Sequence, residues 1–159
     1  MKIIFKCLLL LFYLFLFFSC TKDDSENLDK TNRSILISKK WYGPIESQYF
    51  YYDGNDNEVR NAISGMHDTF TFDFNEDSSV MFSYSFSEKT HNGNWKLNNS
   101  NLLITSNIDN EFSFYKTSKV LDSKINSINN SEMILEKILD SQEEGISYTK
   151  RFEKYISIE

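Results

Sequence analysis

Two cysteines, two histidines and one acidic loop are the side chains of this chain whose types could carry chemistry. Thiols can form a disulfide, hold zinc or act as nucleophiles, and a histidine can serve a metal or an acid-base step. Each use needs company that the sequence does not supply. His67 and His91 stand beside Asp68 and Asn92 near the ends of predicted strands, with no third convergent group, and they read as exposed loop histidines. The run DGNDNE, residues 53 to 58, has the acidic density of a calcium loop. Glu58, however, occupies the sixth position, where an EF-hand turns on glycine, and Ser64 the twelfth, so the run reads as an Asn/Asp turn. There is no Gly-rich phosphate loop and no Gly-x-Ser-x-Gly. The expectation is therefore a protein that is not an enzyme, with no cofactor and no metal.

The thiol of Cys20 has another use. Lys2 and Lys6 precede an uncharged run of twelve residues, Cys7 to Phe18, which ends at Ser19 and Cys20. That is the layout of a secretory signal over residues 1–19, too short for the roughly 20 residues a spanning helix needs. An uncleaved anchor reaching back to Ile3 would bury the Lys6 charge in lipid. Ser19-Cys20 resembles a bacterial lipobox, although Phe17 stands three residues before the cysteine where an aliphatic side chain is usual. The resemblance implies that Cys20 takes a diacylglycerol, that the signal is cut before it, and that the new amine is acylated, for instance by palmitate. Two or more chains make a lasting membrane anchor. Cys7 leaves with the signal, so no thiol remains for a disulfide, a zinc site or catalysis.

Lys2 and Lys6 also leave with the signal, which takes the formal net charge from −6 to −8. An acidic chain without a basic cluster argues against nucleic acid as a partner. Lys22-Asp23-Asp24-Ser25-Glu26 resembles the tag that follows the lipidated cysteine in surface-exposed lipoproteins of Bacteroidota. Its other reading is a solvated spacer, because residues 21–34 have the polar composition of a disordered segment. The expected organisation is a signal peptide at 1–19, a lipidated cysteine with a flexible acidic tether at 20–34, and one domain at 35–159. The expected location is the cell envelope, as an outer-membrane lipoprotein.

The elements of that domain follow a period of two. TFTFDF places Phe70, Phe72 and Phe74 on one face, and VMFSYSF does the same for Val80, Phe82, Tyr84 and Phe86. A polar turn, Asn75 to Ser78, separates them. Closure on an odd number of residues sets Phe74 against Val80, Phe72 against Phe82 and Phe70 against Tyr84. Residues 45–52 are aromatic on both faces and end at the turn signal Asp53-Gly54. Further strands are expected at 93–97, 101–105, 111–117, 123–128 and 146–156. Residues 131–145 fit a helix by period, with Ile134, Leu135, Ile138 and Leu139 in a stripe. As a strand the same segment buries Met133, Leu135 and Leu139 but traps Lys137.

From residue 38 onward the order of features resembles the lipocalin-like domains of Bacteroidota lipoproteins. The resemblance rests on Trp41 in the first strand, the paired Phe-rich strands, Gly93-Asn94-Trp95, and a strand-turn-strand ending in SEMILEKIL and SYTKRFEKY. It implies an all-β fold, an antiparallel up-and-down β-barrel of about eight strands, and it favours the strand reading of 131–145. It also implies that Arg151, or in its place Lys150 or Lys154, stacks on Trp41.

Such a barrel holds either a packed core or one small ligand. In the first reading it carries a small hydrophobic molecule lined by Phe72, Phe82, Tyr84 and Trp95. In the second it is a filled accessory or adhesion lipoprotein that binds a protein or glycan partner at the cell surface through aromatics such as Tyr49, Tyr51 and Tyr52.

Overall fold

Alternating apolar residues build the walls. In the computed structural model, which describes residues 23–65, 69–87, 89–106 and 119–159, helix α1 (Asp23–Ile37) precedes nine strands. They are β1 (Lys40–Tyr52), β2 (Glu58–Ser64), β3 (Phe70–Phe74), β4 (Ser79–Tyr84), β5 (Thr90–Asn98), β6 (Asn101–Ser106), β7 (Lys119–Ile128), β8 (Glu132–Asp140) and β9 (Tyr148–Ile158). All pairings are antiparallel, and a β1–β9 pairing closes a ring of eight strands made of β1 and β3 to β9.

The ninth strand fits the same plan. β9 holds one edge of β1 along its length, so β3 (at Lys40–Gly43) and β2 (at Ser47–Tyr52) share the other edge. They behave as two halves of one interrupted strand. Counted so, the chain is an up-and-down meander of eight members whose last strand returns to the first.

Register follows burial. Phe74 faces Val80, Phe72 faces Phe82 and Phe70 faces Tyr84, as the alternating pattern requires. Residues 132–140 form a strand with Met133 and Leu135 wholly buried, so the segment is strand and not helix. Phe86, expected to point inward, lies past the end of β4 in a turn and is 81% exposed. The strand expected at 111–117 lies outside the described residues, as do residues 1–22 and His67.

The expected flexible tether is corrected from Asp23 onward: α1 is a helix docked across one end of the ring. Leu36 is fully buried, and Ile35 and Ile37 pack on the core. The Asp29 carboxylate accepts from the backbone N–H of Asn99 at 2.7 Å and of Ser100 at 2.8 Å, in the β5–β6 turn. Arg33 donates to the Glu76 carbonyl at 2.6 Å and to the Ser78 hydroxyl at 3.3 Å, in the β3–β4 turn. A polar composition excludes a hydrophobic core within the segment itself. It does not exclude docking on one apolar turn and two charges.

Candidate functional site

Three of the four residues expected to line a ligand cavity seal it. Phe72, Phe82 and Trp95 are each 1% exposed, and they meet one another and their neighbours as a continuous aromatic stack. Phe72 lies 6.3 Å from Phe82 and 5.9 Å from Phe74, and Phe74 meets Trp95 edge-on at 5.3 Å. At that burial no space able to admit even one water adjoins these rings. Tyr84 differs. It is half-buried toward the far end of β4, edge-on to Phe70 at 5.0 Å.

The two tryptophans anchor the closed end. Trp41 is fully buried and its indole N–H donates to the Leu36 carbonyl at 3.2 Å. The Trp95 indole donates to the Asn75 carbonyl at 3.1 Å, and the Arg33 guanidinium lies 4.4 Å above its ring. The cation over a tryptophan is thus Arg33 on Trp95, and the expected stacking of Arg151 on Trp41 is corrected. Trp41 pairs with Ser157 of β9. Arg151 stands six residues away along that strand, about 20 Å at 3.3 Å per residue. Its guanidinium instead binds the buried Glu153 carboxylate at 2.8 Å. The rival cations are engaged elsewhere as well, Lys150 5.3 Å over Tyr52 and Lys154 on Glu132 at 2.8 Å.

Away from α1 the inner wall turns polar. Ser47, His91, Ser123, Thr149 and Glu153 are all buried there. His91 is therefore no loop histidine: it belongs to β5 and stacks on Phe82 at 5.6 Å. The 53–58 loop is the Asn/Asp turn its composition suggested. One Asp53 carboxylate oxygen accepts from the N–H of Asn55 and of Asn57, and these bonds hold its pKa below the usual carboxylate value, with Asn57 the larger cause.

No family model and no curated protein matches this chain. Its surfaces must speak for themselves.

Of the aromatics expected to form an exposed patch, Tyr49 and Tyr51 lie in register with Arg151 and Thr149 on the inner face, and the Arg60 guanidinium covers Tyr51 at 4.0 Å. Only Tyr52 faces outward, stacked on Tyr148 at 4.9 Å and 10°. Beside it Phe50 meets Phe152 edge-on at 5.6 Å. These two rings line a groove of about 350 Å³ together with Ile134, Gln48 and Lys154.

The outer wall continues onto β2. Val59 and Ile63 lie on its outward side, 51% and 72% exposed, and every residue but Ser64 is exposed. No described strand pairs with the other edge of β2. Sequence reasoning missed this strand because EVRNAIS places polar residues on both faces and buries almost nothing.

Proposed function

We propose that the chain is a lipid-anchored envelope protein, held by acyl chains on Cys20 to the outer membrane. Its lipocalin-like barrel is a filled scaffold, and its outer wall receives an extended segment of a partner protein along the edge of β2 that pairs with no described strand. The observation that carries this reading is the packed aromatic layer: Phe72, Phe82 and Trp95 at 1% exposure leave no room for a hydrophobic cargo beside them. The apolar side chains that could meet a partner lie outside, on β1, β2, β8 and β9. An edge strand with unpaired N–H and C=O groups is recognised by another strand, with main-chain hydrogen bonds for affinity and side-chain pockets for choice. Val59 and Ile63, on the outward side of β2, are the apolar side chains next to that edge.

The test has two parts. Native mass spectrometry of the full chain released from membranes should give the mass of lipidated protein alone; a removable apolar molecule of discrete mass would restore the carrier reading. In intact cells, crosslinking from a photoreactive residue at Asn61 should capture a discrete partner, and Ile63→Lys should abolish the product, because a lysine on an edge strand opposes strand addition. An unchanged product with Ile63→Lys would sink the β2 reading.

A further inference from the structure

We draw no further inference here: the strongest candidate, the outer-wall groove between Phe50 of β1, Ile134 of β8 and Phe152 of β9, is a half-buried apolar face whose polar rim is matched within the chain, Gln48 on Glu46 and Lys154 on Glu132 at 2.8 Å each, and nothing in the structure shows what covers it.

Discussion

Gly93→Ala probes how tightly the ring is closed. A Cβ at this position would lie 2.3 Å from the Thr105 carbonyl oxygen and 3.3 Å from the Phe82 ring. A relaxed carbon-oxygen contact is about 3.3 Å, so the overlap is about 1 Å. The clashing atom is backbone of β6, which cannot swing aside as a side chain can. β5 and β6 would have to separate where Gly93 pairs with Ser106. Overpacking of a core costs about 1–3 kcal/mol and more where backbone must move, so a loss of about 3 kcal/mol is expected. With a urea slope of about 2 kcal/mol/M, the unfolding midpoint falls by roughly 1.5 M. Tryptophan fluorescence is a direct monitor, since Trp41 and Trp95 are both buried. Gly54→Ala is the matched control, because the nearest atom to its Cβ is the Ser147 hydroxyl at 3.5 Å. A Gly93→Ala midpoint within about 0.3 M of the parent would refute the reasoning, for then the wall at β5–β6 has slack that the geometry denies.

Four further outcomes are expected. Arg33→Ala removes two hydrogen bonds and the cation above Trp95, and should cost about 1–3 kcal/mol in chemical unfolding; a neutral result would mean that α1 does not close the ring. Phe82→Ala should cost about 3–5 kcal/mol as a core truncation, which thermal unfolding would register. The carboxyl pKa of Asp53 and of Asp77 is depressed by hydrogen bonds, from Asn57 and from Ser79 respectively. Each turn therefore gains stability that is complete above the ordinary value of about 4 and is lost as pH falls through the depressed one. Carboxyl NMR titration should place both midpoints below that value, and midpoints at or above it would contradict the turn geometry. Cys20→Ser should release the protein from the membrane fraction, and retention there would count against the lipid anchor.

Local pattern carried the fold a long way. The Phe-rich hairpin was legible to the residue because each strand buries one face only, and a slip of one place would turn Phe72 and Phe82 toward water. Residues 132–140 were ambiguous because their period suits a helix. The strand puts Lys137 on the inner face, the very feature that counted against it, and the lysine is only half-buried there, next to the gap where β7 and β8 part. Docking of α1 was not legible, since it depends on turns about 45 and 70 residues away meeting Arg33 and Asp29. Nor was β2, whose burial is slight.

The docked helix also sets a posture. Only Thr21 and Lys22 separate Cys20 from Asp23, where α1 begins. Three extended residue spacings reach about 11 Å at most. Were Cys20 acylated as proposed, the barrel would stand upon the lipid surface and not drift on a long leash. On the proposed anchor the end that α1 covers would face the bilayer, and the 53–57 and 141–147 loops would point away from it. Outward-facing groups on β2 would then be held at the height where another protein on the same membrane could meet them.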